Sequence, residues 1–139
     1  MTATITITNP ILSGMNPDPS WIWDDEFQRI VLVTSTFELV PGLPIYVSED
    51  MTCWKHVSNV IDADLARRLL IPFVDDSGGV YAPTLRRIHG KYVIACTIAR
   101  LDDRRAMEGG CTESELMRFH AAEGNFILEA DSIEGPWRG

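Results

Sequence analysis

The densest β-branched stretch of the chain runs Arg29-Ile30-Val31-Leu32-Val33-Thr34-Ser35-Thr36-Phe37 and predicts a buried strand. Pro41-Gly42-Leu43-Pro44 follows with turn chemistry. Ile45-Tyr46-Val47-Ser48 predicts a second strand, closed by Glu49-Asp50, and Trp54-Lys55-His56-Val57 opens a third. Helical periodicity is scarce. Ala63 to Leu70 is one short helical candidate, stopped before Pro72. Asp75-Asp76-Ser77-Gly78-Gly79 reads as a turn or loop.

The pattern then restarts. Ala82-Pro83-Thr84-Leu85 echoes Asp18-Pro19-Ser20-Trp21. His89-Gly90 is a two-residue turn candidate feeding the strand Lys91 to Thr97. Phe126 to Asp131 echoes Ile45 to Asp50, and Trp137 echoes Trp54, which gives both tryptophans a structural role in their repeats. The second copy carries extra charged residues from Asp102 to Glu123, with a short helical candidate at Glu113 to His120. That segment is expected to be a solvated surface insertion. A repeated, mostly β unit of this size fits propeller blades. Two halves of a β-sandwich fit the spacing equally well. Trp21 and Trp23 alternate along a strand and are expected to pack between sheets.

Charge narrows the partners. Twelve basic against twenty acidic side chains give a net charge of −8, so no basic field attracts nucleic acid or an anionic membrane. The pairs Arg67-Arg68, Arg86-Arg87 and Arg104-Arg105 are diluted by nearby acids. No apolar run approaches the length of a transmembrane helix. Met1 to Thr8 has neither a basic nor a long apolar region, so no secretory signal is visible, and the literal reading is cytoplasmic. Cys53, Cys96 and Cys111 have no metal-binding spacing, and Cys96 lies in a strand pattern as a small core residue. His56, His89 and His120 stand alone, so no metal site and no cofactor is expected.

Asn16-Pro17-Asp18-Pro19-Ser20 holds the leading candidate for chemistry. Proline on either side stiffens the backbone, and the residue before a proline is biased toward extended geometry. Asp18 is thus presented at the entrance to Trp21-Ile22-Trp23. Taken alone, the pentapeptide is more readily read as turn chemistry, the commoner use of such residues.

Four segments together resemble the N-terminal part of glycoside hydrolase family 43, the β-xylosidase and α-L-arabinofuranosidase group. They are Asn9 to Ser20, Thr34 to Tyr46, Gly78-Gly79-Val80-Tyr81-Ala82-Pro83-Thr84-Leu85-Arg86, and Asp131 to Trp137. The resemblance implies an all-β chain forming about two blades of a five-bladed β-propeller, an incomplete ring. Residues 16–62 would make blade one and residues 78–139 blade two, within a catalytic-domain part at 9–139 after an N-terminal extension at 1–8.

The resemblance further implies an inverting mechanism that acts on xylo- or arabino-oligosaccharides. Asp18 matches the general base, Phe37 a sugar-contacting aromatic, and Tyr81, Ala82 and Pro83 the pocket wall. Tyr81 stands where the family motif has tryptophan. The family's pKa-modulating aspartate and general-acid glutamate have no matching positions here, and Asp131 precedes Trp137, so it does not match the modulator. The chain alone is therefore expected to be inactive and to self-associate through open blade edges. The alternatives are a non-catalytic carbohydrate-binding fragment and the product of a truncated gene model.

Overall fold

Apolar alternation resolves into two antiparallel sheets in the computed structural model, which describes residues 4–139; residues 1–3 of the expected extension lie outside the described residues. In the first sheet β1 (Ser20–Asp24), β2 (Arg29–Val33), β3 (Gly42–Ser48) and β4 (Lys55–Ile61) lie side by side in chain order. The second is β5 (Val74–Ile88), β6 (Lys91–Leu101) and β7 (Asn125–Ala130). Chain-order antiparallel pairing needs only short connections. His89-Gly90 makes the shortest, with φ of 49° and 82°, the two left-handed positions of a hairpin turn matched to strand twist.

Beyond β7 the second sheet is extended by one isolated bridge. Glu129 and Arg138 exchange both backbone hydrogen bonds, at 2.7 and 2.9 Å. Two expected turns are strand instead. Gly42, Leu43 and Pro44 belong to β3, where Pro44 pairs with Asn59 of β4. Pairing with β2 begins only at Ile45, so the N–H that proline lacks is not needed there. Asp75 to Gly79 lies within β5, at a register shift where Ser77 and Gly79 take positive φ. The turn-forming residues are used for a bulge rather than a loop.

The sheets bury Val31, Val33, Ile45 and Ile61 of one against Leu85, Ile94, Ile98 and Leu128 of the other. Each such side chain stabilises by about 1.5–3 kcal/mol relative to exposure. Ile22 packs against this core, but Trp21 and Trp23 do not. They remain 59% and 44% exposed, because alternation places them on the other face of β1. Trp137 is buried in the core, and Trp54 donates its indole N–H to the Met51 carbonyl at 3.1 Å.

The helix α1 (Ala63–Arg68) is capped by the Asp62 carboxylate, which accepts from the Leu65 N–H at 2.8 Å. It falls where the sequence puts it. The segment expected as a solvated insertion is more ordered than that. It forms α2 (Asp103–Glu108) and α3 (Glu113–Ala121), the latter started by a reciprocal Thr112–Glu115 capping box. Ala106, Cys111 and Leu116 of this segment are buried with Leu70, a small second core that the charge density of the stretch conceals. No helix among the described residues is long and apolar enough to cross a membrane.

Asp24, at the end of β1, is fully buried. Its carboxylate accepts from Arg87 at 2.5 Å and from the Tyr92 hydroxyl, tying β1 to β5 and β6. Burial first, and then the hydrogen bond to Asp24, push the Tyr92 phenol above its ordinary pKa, so it remains a donor. Removing one member of a buried pair strands the others. Asp24→Ala is expected to lower the unfolding free energy by about 3 kcal/mol, near the low end for such pairs because Arg87 keeps some hydration. A urea titration followed by tryptophan fluorescence measures it.

Candidate active site

Asp18 does not take the extended backbone expected before a proline. Its φ is 49°. Aspartate tolerates this region better than most residues, and tertiary hydrogen bonds hold it there. Ser35, just past β2, is completely buried. Its N–H donates to the Pro17 carbonyl at 2.9 Å. Its hydroxyl donates to Asp18 Oδ2 at 2.7 Å and accepts the Ala82 N–H at 2.8 Å. The Ala82 N–H also lies 3.4 Å from Asp18 Oδ2. One buried hydroxyl therefore joins the opening motif, the end of β2 and the bend in β5.

A second link runs beside the first. Phe37 and Val80 exchange backbone hydrogen bonds at 3.1 and 2.9 Å, a single bridge between the two sheets. The bridge passes directly over Gly79. A Cβ on Gly79 would lie 2.2 Å from the Phe37 carbonyl oxygen, and its φ of 100° already excludes most side chains. The bridge stacks the Phe37 and Tyr81 rings, with centroids 4.7 Å apart and planes tilted by 45°. The Tyr81 hydroxyl turns back to donate to the Ser77 carbonyl.

The structure thus brings Asp18 against Ala82 and pairs Phe37 with Tyr81. Asp18 and Ala82 are exposed, and Phe37 and Tyr81 are half-buried. Pro83 is buried behind them. Cys96 lies beneath, its thiol donating to the Tyr81 carbonyl at 2.9 Å. Burial above all, with a smaller contribution from the Asp18 charge, pushes that thiol up to about 12. It is an inert thiol under the site. A separate cleft of about 390 Å³ lies between α1, α3 and the β6–β7 ends, and none of the expected site residues lines it.

Sequence reasoning missed Ser35 and Gly79 as site residues. Ser35 sits in the Thr34-Ser35-Thr36-Phe37 block but reads as a strand end. Gly79 reads as part of a loop. Neither role exists without its partner across the two sheets.

The family model for glycosyl hydrolases family 43 matches residues 7–139. The chain belongs to this family. It is 36% identical over 134 residues to a non-reducing end α-L-arabinofuranosidase of Bacteroides ovatus, covering 95% of this chain and 21% of that protein. It is 35% identical over 136 residues to a xylan 1,3-β-xylosidase of a Vibrio species, covering 96% and 22%. The Bacteroides ovatus xyloglucan PUL GH43B structure superposes with a TM-score of 0.72 at 33% identity, covering 95% of this chain and 22% of that one. The xylan β-1,4-xylosidase of Bacillus halodurans gives 0.69 at 29% identity, covering 95% and 22%. This chain spans about a fifth of the length of these relatives.

Gly79→Ala is expected to break the Phe37–Val80 bridge without unfolding either sheet. Hydrogen exchange measures it. Phe37 and Val80 amides should lose protection, while those of Val31 and Ile94 retain it.

Proposed function

We propose that this chain supplies the water-activating base of a family 43 glycosidase acting on xylosidic or arabinosidic bonds. Asp18 is that base. The observation that carries the reading is its exposed carboxylate, fixed by Ser35 and Ala82 where the two sheets meet, beside the Phe37–Tyr81 pair. The aromatic pair offers an apolar surface for a sugar face, and Ala82 completes that wall, with Pro83 buried as its support. The arabinofuranosidase and xylosidase relatives supply the substrate class.

The reaction is inversion. A water oxygen bonds to the anomeric carbon as its proton passes to Asp18. The glycosidic C–O bond breaks, and a carboxylic acid on the other side of the sugar protonates the leaving oxygen. The two carboxyl groups of such a pair stand about 6.5–9.5 Å apart, leaving room for the water. The motif match assigns only the base within residues 1–139, so the proton donor comes from elsewhere in the complete catalytic domain.

In the same reading the two sheets are neighbouring blades of a five-bladed propeller, with blade one at 16–62 and blade two at 78–139. The exposed Trp21 and Trp23 lie on one outer face and Ile127, 63% exposed, on the other. In a ring each face would meet another blade.

Purified chain is expected to leave an aryl β-xyloside and an aryl α-L-arabinofuranoside unhydrolysed, because in this reading the motif match assigns no proton donor to these residues. Aryl leaving groups need little protonation, so they are the most permissive substrates. Turnover well above background that vanishes in Asp18→Asn would place a complete acid–base pair inside these residues and sink the division of roles. Sedimentation velocity addresses the faces. The chain should form oligomers, and Trp21→Lys with Ile127→Lys should shift it toward monomer.

A further inference from the structure

We infer that Ser35 is the positioning residue of the base, and that it assigns different work to the two oxygens of Asp18. The inference rests on the reading of Asp18 as the base. Both hydrogen bonds that the carboxylate accepts among the described residues fall on Oδ2, from the Ser35 hydroxyl at 2.7 Å and the Ala82 N–H at 3.4 Å. Oδ2 is the anchored oxygen. Oδ1 is left to face a water and take its proton.

Ser35 suits this task for three reasons. It is completely buried, so solvent does not compete for its hydroxyl. Its own orientation is fixed, because the oxygen accepts the Ala82 N–H at 2.8 Å and its single hydroxyl proton is thereby directed to Asp18. Its backbone N–H holds the Pro17 carbonyl at 2.9 Å, immediately before the carboxylate it aims. The Ser35 N–H bond to the Pro17 carbonyl restrains the backbone beside Asp18 but leaves rotation about Cα–Cβ free. The Ser35 hydroxyl restrains that remaining rotation. A base that must meet one water on one face of a sugar requires such restraint.

The test uses the full chain labelled with ¹³C and ¹⁵N, the Asp18 carboxyl carbon being assigned by its loss in Asp18→Asn. Three-bond couplings from that carbon to the backbone nitrogen and carbonyl carbon report the side-chain rotamer. They are read in solution, or by magic-angle spinning on sedimented chain. The native chain should give the couplings of a single rotamer. Ser35→Ala should give averaged values, with Phe37 and Val80 amides still protected. Ser35→Thr, which keeps the hydroxyl, should restore the single rotamer.

A fixed rotamer in Ser35→Ala would overturn the proposal. Averaging in both variants would also overturn it, because packing rather than the hydroxyl would then hold Asp18. Loss of Phe37 and Val80 protection in Ser35→Ala would make the residue architectural and equally end the inference. These couplings need no turnover, so they stand or fall independently of the aryl glycoside assay, where turnover that vanishes in Asp18→Asn would sink the division of roles and leave the rotamer result untouched.

Discussion

The structure depends on how β1 meets β5. The two strands belong to different sheets, so no continuous ladder joins them. Side chains do the joining. The Leu85 N–H donates to Ser20 Oγ at 3.0 Å near one end. Arg87 and Tyr92 hold the buried Asp24 at the other. Between them Ile22 and Leu85 share the apolar core. Polar locks set the register, and the apolar middle supplies most of the favourable free energy.

Two aspartates bracket this seam, and their environments separate their roles. They stand six residues apart, one before β1 and one at its end. Asp24 is buried and used up by cations and a phenol. Asp18 is exposed, and only one of its oxygens is engaged. A carboxylate locked on both oxygens is a structural part. One held by a single oxygen is fixed in direction yet free to react.

Three residues at this place carry backbone strain. Asp18, Phe37 and Ala82 all take positive φ, at 49°, 54° and 48°. Each such residue costs on the order of 1 kcal/mol or more. The strain persists because Ser35, the Phe37–Val80 bridge and the space over Gly79 over-determine the geometry. Positive φ also occurs away from this seam, at Leu43, Met51 and Leu70 among others. The β3–β4 turn closes on Asp50, whose carboxylate accepts the Cys53 and Thr52 N–H groups and is held well below the usual range. The helices α2 and α3 cover their own small core.

The sequence by itself determined the strand-rich class, the helix before Pro72, the His89-Gly90 hairpin and, through motif resemblance, the family. These are local signals, since β-branched runs, caps and turn residues act within a few positions of themselves. The tertiary structure alone decided the rest. Asp75 to Gly79 has loop composition, yet β6 pairing and the close approach of Phe37 draw it into a strand. Trp21 and Trp23 look like core residues, but only the side on which the second sheet packs decides which face of β1 is buried. Asp18 precedes proline and should be extended, but Ser35, seventeen residues away, and Ala82, sixty-four away, turn it. Ser35 itself has no distinguishing local signal. Its role is a hydrogen bond between segments that meet only when the sheets pack, and such long-range geometry leaves no trace in local residue patterns.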